Sequence, residues 1–176
     1  MNATRIAISG ILLTAIVAGA VLYWLQVYAY YITIPASEGG VQLVSLSSGQ
    51  PEPVIFDNFQ SIDSDSSPIR YRACFDLPLS QATLTETFAM YPGATPLVAP
   101  GWFDCFDAVA LGAALESGQA LAFLSVRDVT WGVDRVVAVL PDGRAYAWHQ
   151  INPCGAAVFN REPAPAACPP VPDGLR

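Results

Sequence analysis

The chain has no lysine and a single histidine, His149. With eight arginines against fifteen acidic residues, it is poorly equipped to neutralise phosphates, which argues against nucleic acid as a partner. G-x-S-x-G, H-E-x-x-H and C-x-x-C are all absent, and no lysine is present to serve a Ser–Lys arrangement. Hydrolytic and thioredoxin-like chemistry therefore have no motif to stand on. Asp63-Ser64-Asp65 opens like a calcium loop but lacks the glycine and terminal glutamate of an EF-hand, so it reads as a solvated turn. One histidine falls short of the three or four ligands of a metal site, and no cofactor is expected.

Charge is also missing from Ile6 to Ser37, between Arg5 and Glu38. Ile6 to Leu25 matches the hydrocarbon thickness of a bilayer and predicts a transmembrane helix. Tyr23, Trp24, Tyr28, Tyr30 and Tyr31 extend it to about residue 31 as an interfacial aromatic cluster. The competing reading is a cleaved secretory leader ending at Ala18-Gly19-Ala20. Apolar residues continue through Val21, Leu22, Trp24 and Leu25, which favours an uncleaved anchor. Arg5 on the short side places residues 1–5 in the cytoplasm and the remainder in the periplasm of a bacterial inner membrane. Gly10, Thr14 and Ala18 recur at four-residue spacing, a face on which another membrane helix could pack.

Residues 32–40 read as a linker, 41–160 as one folded domain, and 161–176 as a proline-rich tail. All four cysteines, Cys74, Cys105, Cys154 and Cys168, lie beyond the apolar stretch. In an oxidising compartment an even count predicts two disulfides. Three pairings are open; Cys74–Cys105 with Cys154–Cys168 is preferred because the second would tie the tail back. A redox-sensing disulfide is a minor further reading.

Strands are expected over 41–46, 53–62, 69–76, 120–127, 130–140 and 144–151, with a tight turn at Pro141-Asp142-Gly143. Val136 to Leu140 is apolar on both faces and belongs inside the sheet. Helices are expected at 81–91, capped by Ser80, and at 103–117, with Phe103, Phe106, Ala110 and Ala113/Ala114 as the apolar face and Gly118 as the stop. Strands, helices, then strands predict an α+β domain with an antiparallel sheet of five or six strands and two helices. Residues from 152 onward read as irregular.

The candidate for chemistry is the segment around His149, with Tyr146, Trp148 and Asn152 as neighbours in a possible ligand site. A copper or haem ligand pair with Cys154 is conceivable, but a hydrogen-bonded structural histidine is the better reading on ligand count.

Four segments stand out in combination: Ser66–Phe75, Trp102–Ala108, Gly132–Val136 and Trp148–Gly155. Together they resemble an uncharacterised family of short, single-span alphaproteobacterial membrane proteins, over nearly the whole chain. The resemblance implies no activity. Some members of that family are labelled histidine kinase, which does not fit here: the chain has no ATP-binding domain, and its one histidine is expected on the exported side. The expected role is a non-enzymatic accessory, assembly or interaction subunit of a membrane complex, respiratory or photosynthetic by analogy. The alternative is a ligand-, metal- or redox-handling protein centred on His149.

Overall fold

The structure, a computed structural model, describes residues 3–38 and 40–175. Expected segment positions 1, 2, 39 and 176 lie outside the described residues. The chain divides between Ile32 and Thr33 into two units.

The first unit is a helix, α1 (Ala3–Trp24), continued by a π-helical turn at Leu25–Ala29. Together Ala3–Ala29 are long and apolar enough to cross a membrane, and none of the apolar window is buried against protein. Tyr23 and Tyr28 meet edge to face at 6.4 Å near its end.

The second unit is α+β. β1 (Ile32–Thr33) spans the division between the units; within the second unit the main sheet orders its strands β4 (Asp57–Asp63), β5 (Arg72–Asp76), β8 (Arg144–Ile151), β7 (Val133–Val139) and β6 (Leu121–Thr130). The pairs from β4 to β6 are antiparallel. A small second sheet pairs β2 (Gln42–Val44) with β3 (Pro51–Pro53). Three short helices complete the unit: α2 (Gln81–Thr87), α3 (Ala108–Glu116) and α4 (Pro153–Phe159).

Strand alternation sorts the core into two layers. Ala73, Ala147, Val137 and Phe123 lie abreast on one face and pack with Leu43, Leu84 and Phe88 in the main apolar core. Trp148, Val136 and Leu124 lie abreast on the other face. There Phe106 meets Tyr146 at 5.9 Å and Trp148 at 6.4 Å. β7 is therefore covered on both faces, as its unbroken apolar run requires, and Val136 to Val139 have no exposed surface.

Several expected boundaries move. The helix expected over 81–91 stops at Thr87 because Phe88 is extended, at φ −122° and ψ 153°. The next residues instead link the two sheets: Ala89 N–H donates to Val44 O at 2.8 Å, and Tyr91 N–H to Ala122 O at 2.8 Å. The helix expected from Phe103 begins at Ala108, because Asp107 rather than Asp104 caps it, accepting from Val109 and Ala110 N–H. Phe103 and Phe106 are buried in the preceding loop; on the helix Ala114 is buried as expected, joined by Leu111, while Ala110 and Ala113 are exposed. Gly118, at φ +72°, follows the Ser117 cap as expected. The strand expected over 53–62 is split, giving β3 and β4. The run expected over 130–140 is interrupted at Trp131-Gly132, a two-residue hairpin turn, since Thr130 pairs with Val133. Residues 153–159, expected to be irregular, form α4: Asn152 caps it, Pro153 occupies its first turn, and among the described residues the domain has three α-helices where two were expected.

Both disulfides join the preferred partners. Cys74–Cys105 ties β5 to the loop before α3, and Cys154–Cys168 ties α4 to the tail.

Candidate functional site

The four residues singled out around His149 do not converge. Tyr146 and Trp148 face Phe106, and the Trp148 indole is fully buried, donating to Gln150 Oε1 at 3.3 Å. His149 points to the opposite face of the strand. Asn152 lies past the strand end, at the start of α4. The structure distributes them over two polar clusters, seeded by the consecutive residues Asp134 and Arg135 of β7.

The first cluster is closed. Asp134, 3% exposed, accepts through Oδ1 from Asp128 N–H at 2.9 Å and Asn152 Nδ2 at 3.0 Å, and through Oδ2 from Tyr91 Oη at 3.2 Å. Asp128 Oδ1 accepts from Gly132 N–H at 3.0 Å and Asn152 Nδ2 at 3.1 Å. Asn152 Oδ1 accepts from both Cys154 and Gly155 N–H at 3.0 Å, the first turn of α4. The Asn152 carboxamide thus joins a hairpin turn to a helix start. Burial, then the neighbouring Asp134 carboxylate, raises the Tyr91 phenol far above its ordinary range and keeps it a donor. Gly132 (φ +78°) and Gly155 touch back to back: a Cβ on Gly132 would lie 2.7 Å from Gly155 Cα, and one on Gly155 would strike the Gly132 carbonyl oxygen. Only glycine fits at either position.

The second cluster is a stack. The Arg135 guanidinium sits 4.2 Å from the Tyr71 ring centroid, and Tyr71 stacks on His149 at 4.7 Å. Arg135 Nε donates to His149 Nε2 at 3.1 Å, which leaves the imidazole proton on Nδ1, where it donates to Pro68 O at 2.7 Å. Burial, then the Arg135 charge, lowers the His149 pKa to about 4, so the ring is neutral near pH 7. Tyr71 is also pushed up by burial. Arg135 and His149 open onto a cleft of about 460 Å³, whose rim carries Asp63, Asp65, Ser67 and Thr130. Burial is the main influence on Asp63 and raises its pKa, against the Ser64 N–H bond and Arg135.

The remaining motifs are structural. Arg72, 4% exposed, donates to the carbonyls of Leu97, Val98, Ile69 and Tyr71 at 2.7–3.0 Å and holds the loop before α3 on the sheet. On α1, Gly10, Thr14 and Ala18 are exposed. The Thr14 hydroxyl contacts the carbonyls of Gly10 and Ile11, both at 2.9 Å, so it is occupied within its own helix. Among the described residues no three His, Cys, Asp or Glu side chains gather as metal ligands.

Arg135, Tyr71 and Asp134 were not singled out from the sequence, and Asp63, expected in a solvated turn, ends β4 at the rim of the cleft, with burial raising its pKa. The signal for those three was present, since they lie within the segments singled out as distinctive, but only the strand register shows which face each takes. No curated protein and no solved structure matches the chain. Residues 41–169, which hold both disulfides and both polar clusters, match the Family of unknown function (DUF6446), and the chain belongs to that family.

Proposed function

We propose that this chain is a single-pass membrane protein whose disulfide-closed domain lies in the periplasm and serves as an accessory or assembly subunit of another membrane protein. One observation carries the reading: the apolar window of the Ala3–Ala29 helix has no residue buried against protein, a surface that needs lipid or another apolar partner to cover it. The two disulfides support an oxidising location for the domain. Arg5 in the first turn of α1 and Glu38 after the helix support a cytoplasmic N-terminus. The small residues Gly10, Thr14 and Ala18 give α1 a face that a second helix could approach closely.

Two linked measurements test this. The mature protein should resist alkaline carbonate extraction and retain its N-terminal residues, and protease should reach the domain only from the periplasmic side. Native electrophoresis of gently solubilised membranes should then place it in a complex with a stoichiometric membrane partner. A processed N-terminus after Ala20 would overturn the anchor, and migration as an isolated monomer in native membranes would overturn the subunit role.

A further inference from the structure

The Arg135 cleft carries opposite charges that share a space without pairing. Burial raises the Asp63 carboxyl pKa and the Arg135 charge opposes that rise through space, yet the two side chains form no ion pair with each other. Arg135 is pinned by its bond to His149 and its seat on the Tyr71 ring, so it is not free to swing onto the rim. Its Nε is engaged, while its terminal nitrogens have no acceptor among the described residues. Asp63 accepts from Ser64 N–H through Oδ1, and its Oδ2 has no donor there. The Ser67 and Thr130 hydroxyls are likewise unbonded among the described residues and line the same cleft.

A guanidinium with two parallel donors suits a carboxylate, and a carboxylate oxygen without a donor suits a protonated amine. A simple anion entering the cleft would meet Asp63 and Asp65, and a simple cation would meet Arg135. A ligand carrying both charges satisfies both ends. The cleft volume, about 460 Å³, falls in the range of small-molecule sites. We infer that this cleft binds a small zwitterion of the amino-acid type, its carboxylate on Arg135 and its protonated amine on Asp63. The inference goes beyond the subunit reading and does not depend on it, because it concerns only the folded domain.

The test is calorimetric titration of the full-length protein in detergent with each of the twenty common α-amino acids. The best binder is then compared with its N-acetyl and methyl-ester derivatives, which each remove one charge. Both derivatives should bind at least about tenfold more weakly, the scale of one charge-assisted hydrogen bond. Asp63→Asn, at a half-exposed strand end, should fold normally by circular dichroism and bring the amino acid and its N-acetyl form to equal affinity. Absence of heat from every amino acid at millimolar concentration would overturn the inference. So would equal binding of the charged and blocked forms by the unsubstituted protein, or unchanged discrimination in the Asp63→Asn variant.

Discussion

Asp134 and Arg135 are neighbours in sequence, point to opposite faces of one strand, and anchor polar clusters of opposite character. Around Asp134 three carboxylate and carboxamide side chains consume one another and the backbone donors of a turn and a helix start. Around Arg135 the guanidinium is positioned by two aromatic rings and then left with donors facing a cleft. The difference shows how to separate a polar motif that builds a fold from one that is available to a ligand. A closed set of hydrogen bonds specifies a structure; an oriented charge with uncommitted donors is what recognition needs.

The largest expected effect comes from breaking the closed side. Gly155→Ala drives a methyl into the Gly132 carbonyl, backbone against backbone with no flexible side chain to yield, and should destabilise by at least about 4 kcal/mol in urea denaturation. Asn152→Ala removes the α4 cap and leaves Asp128 and Asp134 short of buried donors. It should cost about 3 kcal/mol by the same measurement. The zwitterion affinity, read on folded protein, should survive the asparagine change, because Asn152 does not line the cleft.

On the open side, His149 gives a pH signature. Its folded pKa, about 4, lies below the ordinary 6.5, so the unfolded chain takes up a proton first as pH falls. Its stabilising effect is complete above pH 6.5 and is lost progressively down to pH 4; linkage gives a loss of roughly 2 kcal/mol by pH 5. Asp63 acts the other way in this window, since its raised folded pKa makes the native state take up a proton before the unfolded one. The difference between the wild-type and His149→Phe stability profiles over pH 4–7 isolates the histidine. The smallest effect belongs to the rim: Ser67→Ala should change stability by less than about 0.5 kcal/mol, because its hydroxyl is unbonded among the described residues.

Much of the fold was legible because local chemistry wrote it. The 144–151 strand, the Ser80 cap, the Gly118 stop and the both-faces-apolar run at 136–139 each carry a local signal that tertiary packing did not override. The misplacements came where a local signal had a stronger rival. Asp104 and Asp107 both look like helix-start residues, and only the burial of Phe103 and Phe106 in the loop chooses the second. Asn152-Pro153 is a sound helix start, but the prolines beyond it drew the segment into the tail. Trp131-Gly132 lacks the Asn-Gly or Asp-Gly that usually marks a tight hairpin. The site was less legible than the fold. His149 was visible as a lone histidine, but the partner that gives it meaning, Arg135, comes from register: the two are directly opposite across β7 and β8, fourteen residues apart in sequence.

The contrast between the two clusters can be read directly by side-chain hydrogen exchange in one NMR sample, following the Asn152 carboxamide protons and the Arg135 terminal guanidinium protons. Asn152 should exchange only through opening of the domain, while the Arg135 terminal protons should exchange rapidly and slow on addition of a bound amino acid. Equal protection at the two residues, or an Asn152 carboxamide that exchanges freely in the folded protein, would contradict the division between a closed structural cluster and an open binding one.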